Sequence, residues 1–227
     1  MREFPRSEGR LMKNNILLVV PMLVFCGALQ AFAGADTSKE AIQTSGTTPE
    51  VPVFRAGANE VELLGGAMFS VQAGNPRDRP TLNYAIQSLR YDWMLNDVHH
   101  SGFLRGNEEL VLEGFGGEVF KGPQGGFGGG LLAVRYNFVQ DGSRIIPYVQ
   151  VGAGALGNDI FHNYVQTRIG EEFEFTLHGG LGIRWMITDR WAFTTEGQYR
   201  HISNAGLSSR NSGLDSFGGE LGFNYLY

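Results

Sequence analysis

Apolar and polar side chains alternate at every second residue, in segment after segment from Val61 onward, and this pattern limits the fold more than any other feature of the chain. Successive side chains of a strand point to opposite faces, so a period of two marks strands with one apolar and one polar face. The segments are 61–73, 82–95, 108–120, 128–138, 144–156, 173–187, 191–202 and 214–227, with Gly, Asn and Asp between them and helix signals nearly absent. In 173–187, Phe173, Phe175, Leu177, Leu181, Ile183, Trp185 and Ile187 share one face, while Glu174, Thr176, His178, Arg184 and Thr188 share the other. In 128–138, Leu132, Val134, Tyr136 and Phe138 oppose Arg135 and Asn137, and in 144–156, Ile145, Val149 and Val151 oppose Tyr148 and Gln150.

Two architectures accept such strands: a soluble, lipocalin-like barrel with the apolar rows inside, or a membrane barrel with those rows outside. Strands running past ten residues favour the second, as do Arg184, Glu196, Arg200 and Glu220 on the polar faces, where a narrow lumen would let them pair. Trp93, Trp185, Trp191, Tyr225 and Tyr227 sit at segment ends, where an interfacial girdle belongs. Leu221, Phe223, Tyr225 and Tyr227 finish the chain in alternation, which resembles the C-terminal insertion signature of bacterial outer-membrane proteins. The expected fold is all-β: an eight-stranded antiparallel transmembrane β-barrel of the bacterial outer membrane over residues 59–227. Eight staves leave an interior that side chains can fill, so a plugged cylinder is expected and not a pore.

Upstream, Arg10 and Lys13 precede an apolar run from Ile16 to Leu29, and Ala31-Phe32-Ala33 has the small-x-small form of a cleavage site. Residues 1–33 read as a secretory signal peptide cut after Ala33, and 34–58, rich in Thr, Ser, Pro and Ala, as a flexible lead-in. The single cysteine, Cys26, lies inside that signal behind Phe25, where a lipoprotein signal wants a small residue, so neither lipidation nor a disulfide is expected. A net charge of −5 gives no reason to propose a nucleic-acid partner.

The chemistry gathers near the C-terminus. Trp191, Phe193, Thr195, Gly197, Tyr199, His201 and Ser203 share a face, and beyond a polar turn Asp215, Phe217, Gly219, Leu221 and Phe223 share another. If the two segments pair as a hairpin, Asp215 comes beside His201 and Ser203 on the same side of the sheet. With both termini periplasmic, the turn between them faces the cell exterior, and the apolar row carries His201, Ser203 and Asp215 toward lipid. His201 and Ser203 lie roughly 6.5 to 7 Å apart along a strand, within imidazole reach of the hydroxyl. Ser203 as nucleophile, His201 as base and Asp215 as the acid that orients it would suit attack on an ester, with Asn204 or nearby backbone N–H groups stabilising the oxyanion.

The block Arg200-His201-Ile202-Ser203-Asn204-Ala205-Gly206, followed by Asn211-Ser212-Gly213-Leu214-Asp215, resembles the signature of the PagL family, the outer-membrane lipid A 3-O-deacylases. Pro147-Tyr148 with Gly152 to Gly154 is also similar to that family's pattern. The resemblance implies a lipid-facing Ser203, His201 and acid triad, an Asn204 oxyanion contributor, a supporting motif asparagine at Asn211, and lipid A of lipopolysaccharide as substrate and partner. Asp215 departs from the Glu of the best-known members by one methylene, which asks for a closer approach of the strands. The alternative from another class is a non-enzymatic small outer-membrane barrel, structural or adhesive, of the OmpX type. No cofactor is implied, and a homodimer is left open. The Gly-rich run from Gly114 to Gly130 lacks a P-loop's GK[ST] and reads as close-packed strands and a turn, and His99-His100 reads as a loop pair lacking a third metal ligand. Glu196, Arg200 and Glu220, on the face opposite Ser203, read as a lumenal ion-pair set.

Overall fold

The computed structural model describes residues 53–71 and 80–227, so the expected signal peptide, its cleavage after Ala33 and most of the lead-in lie outside the described residues. Eight strands follow one another: β1 (Asn59–Ser70), β2 (Asn83–Met94), β3 (Gly106–Lys121), β4 (Gly126–Phe138), β5 (Ile145–Asn158), β6 (Phe173–Met186), β7 (Trp191–Ser203) and β8 (Leu214–Leu226). Each pairs antiparallel with its neighbours, and β1 pairs with β8, closing the barrel. Closure removes the exposed sheet edge that lipid cannot satisfy. A strand of 12 residues runs about 40 Å and, tilted roughly 40°, spans a hydrocarbon layer of about 30 Å. Among the described residues no helix is long and apolar enough to cross a membrane, and the strands do the crossing.

Alternation decides which face of each strand goes where. Leu132, Val151, Leu177, Leu181, Leu221 and Phe223 stand exposed on the outer wall, with Leu181 at 68%, whereas Arg90, Arg135, Arg184 and Arg200 are all at 0% inside. A soluble barrel would need the reverse, because long guanidinium groups belong in water and a continuous apolar belt does not. Trp93, Trp185, Trp191, Tyr225 and Tyr227 all fall at the end where the chain terminates, with Trp191 against Tyr225 at 4.9 Å between ring centres.

The lumen is filled in three storeys. At the end carrying the connections 159–172 and 204–213, Tyr84, Phe115, Phe127, Leu156, Ile160, Ile202 and Leu214 form one apolar plug. Near the terminal end, Met94, Ile146, Met186 and Leu226 form another. Val53 and Phe54, assigned to the flexible lead-in by sequence, are buried in this second plug. Burial of an aromatic ring in the open barrel mouth offsets part of the cost of ordering the chain that carries it.

Between the plugs runs an ion-pair network. Arg90 bonds Glu113 at 2.7 Å, Glu196 at 2.9 Å and Glu62 at 3.2 Å, and reaches Glu220 at 3.4 Å. Arg135 is held by Asp92 and Glu109 at 3.1 Å, and Arg184 by Glu60 at 2.6 Å. Glu196, Arg200 and Glu220 all lie here, but not as one set: Arg200 pairs with Glu113 at 2.8 Å, while both glutamates pair with Arg90. Glu62 and Glu113 sit directly across from Arg90 on the adjacent staves, whereas Glu196 reaches it, and Glu113 reaches Arg200, across a lumen narrow enough for facing side chains to meet.

Candidate active site

In the β7–β8 pair, His201 lies directly opposite Asp215. Their chain neighbours Arg200, Ile202, Leu214 and Ser216 are buried in the lumen, so the pleat turns His201, Ser203 and Asp215 to the outer wall. The three side chains touch in series. His201 Nδ1 is 2.7 Å from Asp215 Oδ1, and His201 Nε2 is 3.0 Å from Ser203 Oγ. An ionised carboxylate only accepts, so the ring hydrogen sits on Nδ1 and the Nε2 lone pair faces the hydroxyl. In that tautomer the imidazole can take the serine proton as Oγ attacks a carbonyl carbon. The His201 side chain is 30% exposed and that of Asp215 40%, so the set opens sideways from the barrel and not into the lumen. Phe175 and Leu177 lie across β6 from Ser203 and His201, giving the set an apolar surround.

The connection 204–213 caps this set. Ala205 and Gly206 have φ of 53° and 83°, and Leu207 N–H donates to the Asn204 carbonyl at 3.0 Å, a tight hairpin-type reversal that needs left-handed backbone at both central residues. Asn204 does not offer its carboxamide to the nucleophile. Being the residue after Ser203, it points inward; its side chain is fully buried, and its Oδ1 accepts from Gly206 N–H at 3.0 Å. The Asn204 backbone N–H donates to Asn211 Oδ1 at 3.1 Å, so Asn204 braces the turn. Asn211 Nδ2 has no hydrogen-bond partner among the described residues, and its carboxamide is pinned to the peptide that follows Ser203.

Gly213, at φ 72°, packs its backbone against the imidazole: a Cβ there would come within 3.2 Å of His201 Cε1. The connection is tied down from outside. Ser212 N–H donates to Thr167 O at 2.9 Å, Arg168 donates to Pro80 O at 2.9 Å and Val71 O at 3.0 Å and reaches Gly213 O at 3.5 Å, and Arg210 bonds Gly170 O at 3.0 Å.

Sequence reasoning did not single out Tyr199, whose hydroxyl donates to Asp215 Oδ1 at 2.5 Å. Its signal was its place two residues before His201 on the same face, diagonal to Asp215 across the pair. The rings of His99 and His100 lie 4.0 Å apart, tilted by 55°, in the connection 95–105 at the opposite end, with His99 3.5 Å from Glu108. Glu60, Glu62 and Asp92 are the one acidic group among the described residues compact enough for a cation, but Arg135 and Arg184 already meet their charge. The Gly-rich run from Gly114 to Gly130 forms parts of β3 and β4 and the reversal between them, where Gly122 and Gly125 have φ of 125° and 150°.

Eight closed staves, a filled lumen and an apolar outer wall make this an outer-membrane β-barrel. Among solved structures, the chain is similar to the outer membrane enzyme PagL at 16% identity and a TM-score of 0.52, covering 74% of this chain and 98% of that one. It is also similar to Neisserial surface protein A, NspA (12%, 0.49, 75% and 97%), and to OprG from Pseudomonas aeruginosa (16%, 0.46, 76% and 97%). At 16% identity the likeness to PagL speaks to the fold alone. No curated protein sequence matches. Residues 83–224, more than half of the chain, match the model of the family described as Lipid A 3-O-deacylase (PagL), and the chain belongs to that family, whose members are lipid A deacylases of the outer membrane.

Proposed function

We propose that this barrel hydrolyses the ester-linked acyl chain at the 3-O position of lipid A through Ser203, His201 and Asp215. The observation that carries the reading is the hydrogen-bonded Ser203–His201–Asp215 series on the lipid-facing wall, beside the connection 204–213. A nucleophile opening onto acyl chains suits a substrate that is itself a membrane lipid. The 3-O position comes from the family to which the chain belongs. The non-enzymatic barrel of the OmpX type gives no physical reason for a serine, an imidazole and a carboxylate to be aligned on an apolar wall.

In the first half-reaction Ser203 Oγ attacks the ester carbonyl carbon while His201 Nε2 takes its proton. The tetrahedral oxyanion collapses, the C–O bond to the sugar breaks, and His201 returns the proton to the departing sugar oxygen. Water then adds to the acyl-serine ester with His201 again as base, releasing the fatty acid and restoring Ser203. Asp215 keeps the imidazole in the reactive tautomer and stabilises its cation without itself carrying the transferred proton. Asn211, with Nδ2 uncommitted beside the nucleophile's own peptide, is the donor proposed for the oxyanion in place of Asn204.

Mass spectrometry of lipid A from cells making the protein and from cells lacking it tests the reading. Loss of one acyl chain, with the 3-hydroxyl freed, is expected in the first and absent from the second; identical lipid A in both would sink it. Asn211→Ala is expected to lower kcat about a hundredfold with little change in KM, because the donor acts on charge that develops only in the transition state. Steady-state kinetics on purified lipid A would check this, and Asn204→Ala should instead show its loss in the stability of the loop, read by limited proteolysis.

A further inference from the structure

We infer that Tyr199 is a positioning residue for the acid, holding Asp215 where it can orient His201. The inference rests on the esterase reading above and deepens it. Asp215 Oδ1 takes two donors at once: His201 Nδ1 at 2.7 Å and the Tyr199 hydroxyl at 2.5 Å. The carboxylate stands at 40% exposure on the outer wall, the face that the barrel turns to lipid. A carboxylate there cannot rely on water to fix its rotamer or to hold its charge, and an unsatisfied anion against hydrocarbon is costly. The phenol supplies both services. It pins Oδ1 in line with Nδ1, and by donating to the anion it makes the carboxylate a weaker competitor for the imidazole proton. The hydrogen therefore stays on Nδ1 and the Nε2 lone pair stays aimed at Ser203.

The ring is itself located by the sheet. It lies against Phe217 at 5.0 Å between centres, the residue directly opposite on β8. On its other side β6 presents Gly179, with nothing within 4 Å of where a side chain would begin, so the ring has room along the wall. From this seat the hydroxyl reaches diagonally to Asp215, a span within reach of an aromatic side chain across a strand pair.

The test is a double-mutant cycle on the folded full chain in lipid vesicles, with the wild type, Tyr199→Phe, Asp215→Ala and the double variant. Two rates are read: lipid A deacylation, and covalent labelling of Ser203 by a fluorophosphonate. In the Asp215 background, Tyr199→Phe is expected to lower kcat and the labelling rate about tenfold with KM unchanged. In the Asp215→Ala background the same change should alter neither rate, because the hydroxyl acts only through the acid. A residue that merely packs the wall would cost the same factor in both backgrounds, and that result overturns the inference, as does an unchanged rate in the first. If the wild type is labelled but leaves lipid A untouched, the substrate assignment fails while Tyr199 is judged on labelling alone. If wild-type Ser203 is never labelled, the esterase reading fails and the inference with it.

Discussion

Ser203→Ala is expected to lower the deacylation rate by on the order of 10⁴-fold or more while leaving the barrel folded. The hydroxyl lies 3.0 Å from His201 Nε2 on the outer wall and contributes nothing to the lumenal network, so its loss removes the proposed nucleophile without leaving a buried group unpaired. His201→Ala should cost a similar factor, and the double variant little more than either, since members of one nucleophilic relay fail together. Lipid A mass spectrometry reads the activity, and the shift in gel mobility on heating shows that the barrel is intact. Full deacylation by Ser203→Ala would remove Ser203 from the chemistry whatever its alignment.

Arg90→Met carries the largest expected effect on stability, a loss of about 3 to 5 kcal/mol. The guanidinium is fully buried and contacts Glu113, Glu196, Glu62 and Glu220, so its removal takes from Glu196 and Glu220 the arginine they share, while Glu113 keeps Arg200 and Glu62 keeps Arg135 and Arg184. Methionine fills much of the volume, which isolates the electrostatic part from a cavity. Urea titration of the barrel in vesicles checks it, against Arg144→Met as a control. Arg144 meets Asp189 at 3.4 Å with both side chains more than half exposed, and an exposed pair of this kind is worth about 0 to 1 kcal/mol. Equal midpoints for the two variants would mean that the lumenal network does not hold the staves together.

Much of this was written in the order of residues. Strand number, the outward apolar rows and the inward arginines follow from a period of two, because a strand offers each side chain only two directions. The same rule put His201 and Ser203 on one face, and the alternation that resumes at Asp215 put the acid on the matching face of the next stave. The resemblance of the block from Arg200 to Asp215 added the substrate class, which periodicity alone does not address.

Contacts that cross the barrel or depend on how a loop closes were not legible in this way. Arg200 pairs with Glu113 of β3 and not with Glu196 or Glu220 of its own hairpin, because the lumen brings together staves far apart in the chain. Asn204 turns inward and braces the reversal at Ala205 and Gly206, while Asn211 holds the peptide that follows Ser203 from seven residues further on. Tyr199 reaches Asp215 along a diagonal that exists only once the register of β7 and β8 is set. By itself the sequence determined the cylinder and which residues line each wall, since those depend on local direction. Which polar groups meet was decided by closure of the barrel, since hydrogen bonds and ion pairs require distances that only the assembled staves define.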